Sequence, residues 1–141
     1  MRYADTCLLL SLHIPDRGTP AALAWLEAAG NAPIMASLWA VTEFASALGI
    51  ITRRGDITPA AHAAALAQFR RFTADRLNIE PPEAADFERA AGWVEHFETG
   101  LRAADALHLA ICARRSATLC TADATLARAA GTFGVRAELV E

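Results

Sequence analysis

Short apolar segments alternate with alanine-rich stretches along the chain, and this alternation restricts the fold more than any other feature of the sequence. Strand-like segments fall at Met1–Ala4, Pro33–Ala36, Leu77–Ile79, Thr118–Thr121 and Val135–Val140. Each is too short for a helix of ordinary length, and each is bounded by a turn or capping residue. The stretches between them are rich in alanine, the best helix former. Thr19 and Pro20 open a helix over Thr19–Ala29, which Gly30-Asn31 stops. Ser37 caps a second helix that runs to about Leu48, where Gly49 weakens its end. A third spans Thr58–Asp75, with Pro59 at its first position. Pro82–Phe97 carries a charged face of Glu83, Asp86, Glu88, Arg89 and Glu95. Leu101–Arg114 and Thr125–Ala130 complete the helices. Strands separated by helices predict an α/β fold with a mostly parallel sheet. A length of 141 residues predicts a single domain, 1–141.

Composition removes several classes of chemistry. All 13 basic residues are arginine. Without a lysine the chain has no P-loop cation, no Schiff-base nucleophile and no receiver-domain lysine. Cys7, Cys112 and Cys120 lack the C-x-x-C spacing of a zinc ribbon or a redox dithiol, and their odd number argues against a secreted disulfide scaffold. Cys7–Leu12 is a short apolar run, but Asp5 stands where a signal peptide requires positive charge. Ile34–Ile51 is long enough to test as a membrane span, yet Glu43 lies in its middle among Ser37, Thr42 and Ser46. The expectation is a cytoplasmic protein with no membrane segment.

Four carboxylates stand alone. Asp5 is the only charged residue between Arg2 and Asp16, and Glu43 the only one between Glu27 and Arg53. Asp105 is alone between Arg102 and Arg114, and Asp123 between Arg115 and Arg128. Each interrupts a stretch that otherwise reads as core, where an unpartnered carboxylate is costly. Taken singly, three have simpler readings. Asp123 precedes a helix and suits an N-cap. Asp105 lies in a first turn, where the helix dipole favours an anion. Asp5 suits a turn after a strand. Glu43, mid-helix among Trp39, Ala40, Phe44 and Ala47, is excused only by an interface or a buried partner. Taken together, the four are most economically explained by a shared cation. Oxygen-only ligands select a hard ion such as Mg²⁺ or Mn²⁺. Such an ion acidifies water and neutralises charge at phosphorus, which predicts phosphodiester chemistry.

The same residues carry a family likeness. Tyr3-Ala4-Asp5-Thr6, Val41-Thr42-Glu43-Phe44, the run Arg102-Ala103-Ala104-Asp105-Ala106-Leu107-His108-Leu109-Ala110, and Leu119-Cys120-Thr121-Ala122-Asp123 with Leu126-Ala127-Arg128-Ala129-Ala130 span the chain. In order and spacing they resemble the PIN-domain family, and within it the VapC-type toxins of type II toxin–antitoxin pairs. The resemblance implies a Rossmann-like sheet of about five parallel strands. It implies a Mg²⁺- or Mn²⁺-dependent endoribonuclease with catalytic and metal-binding roles for Asp5, Glu43, Asp105 and Asp123. It also implies supporting hydrogen bonds from Thr6 and Thr121, a cognate small antitoxin, and a homodimer. Cys7 departs from the small hydroxyl residue common at its position.

The remaining polar and aromatic residues are less distinctive. His108 lies one helical step from Asp105 and suggests a general base. The simpler role is packing, with one ring nitrogen satisfied by backbone, because a cation that acidifies water needs no imidazole. His13, His62 and His96 belong to no constellation, and Trp25, Trp39 and Trp93 occupy core-like helical positions. Setting the four acids aside takes the formal charge from −3 to +1, so RNA must be held locally. Arg53-Arg54, Arg70-Arg71 and Arg114-Arg115 are the candidates, although each pair taken singly reads more readily as a solvated helix end. Two other functions compete. A PIN-like module that binds RNA or protein without cleavage would be expected to have lost one of the acids. A haloacid-dehalogenase-type phosphatase needs a second aspartate at position 7 and a lysine, and the chain has neither.

Overall fold

The computed structural model describes residues 1–141. Five strands, β1 (Arg2–Ala4), β2 (Ile34–Ser37), β3 (Leu77–Glu80), β4 (Thr118–Thr121) and β5 (Ala137–Leu139), form one sheet in the order β3-β2-β1-β4-β5. Every pairing is parallel, with Tyr3 opposite Met35 on one side and Leu119 on the other. Seven helices connect and cover the strands: α1 (Thr6–Ser11), α2 (Thr19–Ala29), α3 (Leu38–Arg53), α4 (Pro59–Arg76), α5 (Ala84–Val94), α6 (Ala103–Arg115) and α7 (Ala124–Thr132). The α/β fold and its parallel sheet are as the sequence predicted.

Strand periodicity sorts the core into two layers, because successive side chains point to opposite faces. Tyr3, Met35 and Leu119 join Leu107, Leu109 and Ile111 on one face. Ala4, Ile34, Ala36 and Cys120 join Leu8, Trp25, Phe44 and Phe69 on the other. Phe44 and Phe69 stack with centroids 3.7 Å apart, and His13 packs edge-on against both. Trp25 is in the core, whereas Trp39 and Trp93 pack at its margin.

Several boundaries differ from expectation for identifiable reasons. The run Ile34–Ile51 divides into β2 and most of α3, and no helix is long and apolar enough to cross a membrane. Gly49 does not end α3, which continues to Arg53. Buried Leu48 anchors that turn, and packing outweighs the roughly 1 kcal/mol that an interior glycine costs. The charged helix is shorter than Pro82–Phe97: it ends at Val94, and Phe97–Thr99 form a separate 3₁₀ turn. Helix α1 is missing from the sequence reading. At six residues it is too short to display helical periodicity, and Cys7–Leu12 reads as featureless apolar chain.

Arg114, proposed from the sequence as an RNA contact, is already occupied. Its Nε donates to both oxygens of Asp86, at 2.9 and 3.1 Å, and its Nη1 donates to Glu80 and Glu83, at 2.7 and 2.9 Å. Neighbouring Arg115 lies 3.6 Å from Glu80. Asp86 is 1% exposed and also accepts from the Glu83 N–H, so its charge is compensated only by this arrangement. Arg114→Ala would strand that carboxylate, and breaking a buried pair costs about 3 kcal/mol or more. A loss of that size is expected in urea unfolding, and a loss below about 1 kcal/mol, the range of surface pairs, would show the network to be superficial.

Candidate active site

The sheet order brings together residues that are far apart in sequence. β1 lies beside β4, so the segments leaving their carboxyl ends adjoin, and the Asp5 N–H donates to Cys120 O at 3.2 Å. The strand order runs outward in opposite directions from β1 and β4, and ligands bind at such a switch point in open parallel sheets. Asp5 follows β1 and Asp123 follows β4. Helix α3 leaves the same edge of β2 and carries Glu43 in its second turn, while α6 runs back toward β4 and begins near that edge with Asp105 in its first turn.

Each carboxylate has a defined local setting. Asp5 is 3% exposed and caps α1, accepting from the Leu8 N–H at 2.9 Å. It is therefore a helix cap rather than a turn residue. Its Oδ2 accepts from the Thr121 hydroxyl. The Thr121 Oγ1 in turn accepts from the Asp123 N–H at 2.9 Å, so one threonine ties the two aspartates together. Asp123 caps α7 through Oδ1, which accepts from Thr125 and Leu126. Asp105 faces Arg102 at 3.8 Å, but that arginine side chain is 82% exposed and neutralises it weakly.

Glu43 has the buried partner that its position required. Oε2 is 2.5 Å from His108 Nε2 and accepts from the Thr6 hydroxyl at 2.7 Å. His108 is 2% exposed, so the packing reading was right about burial and wrong about partners: neither ring nitrogen meets backbone. Nδ1 is 2.6 Å from the Tyr3 hydroxyl, which donates to Ser37 Oγ at 2.8 Å. Tyr3 and Ser37 are the site residues that sequence reasoning missed, together with the pairing of His108 with Glu43. Contacts spanning 105 and 65 residues leave no local spacing to read. The one available signal was a tyrosine in the central strand, whose hydroxyl must find a partner.

Electrostatics separate Glu43 from two of the aspartates. Burial raises the Asp5 carboxyl above its ordinary value, against the lowering effects of His108, Thr121 and Leu8, and Asp105 adds to the rise. Burial likewise raises Asp105, followed by the negative charge of Asp123. Burial also works to raise Glu43, but the His108 hydrogen bond and charge and the Thr6 hydroxyl outweigh it, leaving that carboxyl below its ordinary value. Asp105 thus lies within electrostatic reach of the other three acids, although no three His, Cys, Asp or Glu side chains stand as a ready coordination set. Their donor chemistry fits a hard divalent cation: the atoms are all oxygen, and the repulsion among the aspartates is only weakly relieved by Arg102.

A family model for the PIN domain matches residues 2–132. The chain belongs to the PIN domain family. Among solved structures, FitAcB from Neisseria gonorrhoeae is similar at 19% identity and a TM-score of 0.73, over 97% of this chain and 96% of that one. VapC20 from Mycobacterium tuberculosis, a Sarcin-Ricin loop cleaving toxin, matches at 20% identity and a TM-score of 0.72, over 92% of this chain and 95% of that one. VapBC2 from Rickettsia felis, bound to a DNA fragment from the promoter, matches at 16% identity and a TM-score of 0.73, over the whole of both chains. At these identities the likeness is one of fold. No curated protein matches the chain in sequence.

The raised Asp105 carboxyl gives a signed expectation. Between its unfolded value of roughly 4 and its folded value, the folded chain binds more protons than the unfolded chain. The stability tied to this group is complete below that window and is lost as pH rises through it. In EDTA, Asp105→Asn is therefore expected to be more stable than wild type at about pH 7, with the difference closing toward about pH 4. Urea unfolding across that range measures it, and a difference independent of pH would contradict the electrostatic account.

Proposed function

We propose that the protein is a metal-dependent endoribonuclease, the toxin of a toxin–antitoxin pair, hydrolysing RNA phosphodiester bonds at Asp5, Glu43, Asp105 and Asp123. The observation that supports this reading is that four sequence-isolated carboxylates lie along one edge of a PIN-domain sheet, with Asp105 within electrostatic reach of the other three. Asp5, Asp105, Asp123 and the free Oε1 of Glu43 would hold Mg²⁺ or Mn²⁺. Bound there, the ion would supply charge neutralisation at phosphoryl oxygens and acidify water. Thr121 holds the Asp5 and Asp123 segments in register, and Thr6 holds Glu43. Exposed Arg53, Arg54, Arg70 and Arg71 remain as candidates to meet RNA phosphates, since Arg114 is committed elsewhere.

A toxin needs a cognate antitoxin, and the structural neighbours include toxin–antitoxin assemblies. The reading also includes a homodimer and a cytoplasmic location, where RNA is the substrate. An apolar groove of about 340 Å³, lined by Trp39, Phe87, Ala90, Val94 and Leu107, supports a homodimer, since Phe87 is 54% exposed beside it.

Cleavage of a structured RNA in Mg²⁺ or Mn²⁺, abolished by EDTA, tests the activity. Replacing an outer partner of a metal typically costs roughly 10–100-fold, and loss of a ligand should cost more, so Asp5→Asn is expected to lose at least about 100-fold. Asparagine keeps the cap on α1. Mn²⁺ should also raise the melting temperature of EDTA-stripped protein, because a ligand that binds only the folded state stabilises it. Wild-type cleavage by Asp5→Asn, or cleavage unaffected by EDTA, would overturn the reading.

A further inference from the structure

The side chains behind Glu43 form a continuous buried chain that neither catalysis nor simple packing requires. Ser37, fully buried at the end of β2, accepts from the Ala40 N–H at 3.0 Å and from the Tyr3 hydroxyl at 2.8 Å. Tyr3, fully buried in the central strand, holds His108 Nδ1 at 2.6 Å. His108 Nε2 lies 2.5 Å from Glu43 Oε2 and 3.2 Å from Thr6 Oγ1. An ionised carboxylate only accepts, so the proton between His108 and Glu43 belongs to Nε2. The Glu43 side chain is 21% exposed and the imidazole 2%, so solvent meets the carboxylate but not the group that holds it.

We propose that His108 is a positioning residue for Glu43, anchored by Tyr3, which engages Oε2 and thereby presents Oε1 as the oxygen available to the cation. The inference rests on the metal-site reading above and adds how one ligand is oriented. Three features separate this role from general-base catalysis and from packing. Both ring nitrogens are already engaged by side chains, which leaves none for a substrate proton. Glu43 enters from the second turn of α3, whereas Asp5 and Asp123 follow strands and cap helices, so unlike those two it has no backbone N–H group to orient its carboxylate. Thr6, next to Asp5, donates to the same Oε2, so two independent segments converge on one oxygen and leave the other without a partner. Outer hydrogen bonds of this kind fix ligand orientation and typically change metal affinity by roughly 10–100-fold.

The test measures Mn²⁺ dissociation constants by calorimetry on EDTA-stripped full-length protein, with circular dichroism confirming the fold. His108→Leu is expected to weaken binding about tenfold or more, and His108→Gln, whose amide can still donate toward Glu43, to recover it to within about threefold. In parallel, the Mn²⁺ concentration giving half-maximal RNA cleavage should rise for His108→Leu by the same factor, while the rate at saturating Mn²⁺ changes much less. A structural role would lower the rate at every Mn²⁺ concentration. Folded His108→Leu with the wild-type dissociation constant, or a glutamine variant that recovers nothing, would overturn the proposal. If His108→Leu does not fold, Tyr3→Phe and Thr6→Val carry the test: weakened Mn²⁺ binding in both supports it, and wild-type binding in both overturns it. If wild-type protein binds no Mn²⁺ and Glu43→Gln changes nothing, the metal-site reading itself falls and takes this proposal with it. That outcome is distinct from a wild-type site that Glu43→Gln weakens and His108→Leu does not.

Discussion

The candidate site depends on β1 lying between β2 and β4. This strand has only three residues, yet it pairs on both sides and is the one strand that touches both halves of the sheet. Its carboxyl end delivers Asp5 into a helix cap beside the end of β4. Its middle residue, Tyr3, sends a hydroxyl through the opposite layer toward His108. Adjacent residues on a strand face opposite ways, so Tyr3 can serve the α6 side while Ala4 packs against α1 and α3. A one-residue slip in the β1 register would exchange those faces and break both connections.

The elements that were legible in the sequence share a physical property: their signals are local. Thr58 with Pro59, and Ser37 before α3, mark helix starts because a cap bonds within three residues of itself. Thr118–Thr121 and Thr19–Ala29 match the predicted bounds, since apolar content and stop signals coincide there. The isolation of the four acids is also a local signal, and it led to one edge of the sheet. What was not legible depends on long-range placement. Glu43 demanded a buried partner, but nothing near it in sequence named His108, 65 residues away. Arg114 read as an exposed helix end because its three carboxylate partners come from β3 and the start of α5. Helix α1 escaped because its stabilisation comes from Asp5 and from burial of Leu8 and Leu9, not from helical periodicity.

The fold contains two groups of acids treated in opposite ways. Glu80, Glu83 and Asp86 surround Arg114, which gives them four hydrogen bonds and a counter-charge from within, its fifth bond going to Pro81 O. Asp5 has a hydroxyl and a backbone donor and Asp123 two backbone donors, while Asp105 faces only one exposed arginine side chain at 3.8 Å. Burial penalises the ionised form of Asp5 and Asp105. Only the first group carries its own counter-charge, and it does so where β3 turns into α5. The second leaves its carboxylates half-satisfied at the place where parallel sheets bind ligands. Glu43 falls between the two cases: its imidazole partner occupies one oxygen and leaves the other facing out. A carboxylate held in this way is oriented without being neutralised on its open side, and that is the condition a metal ligand must meet before the ion arrives.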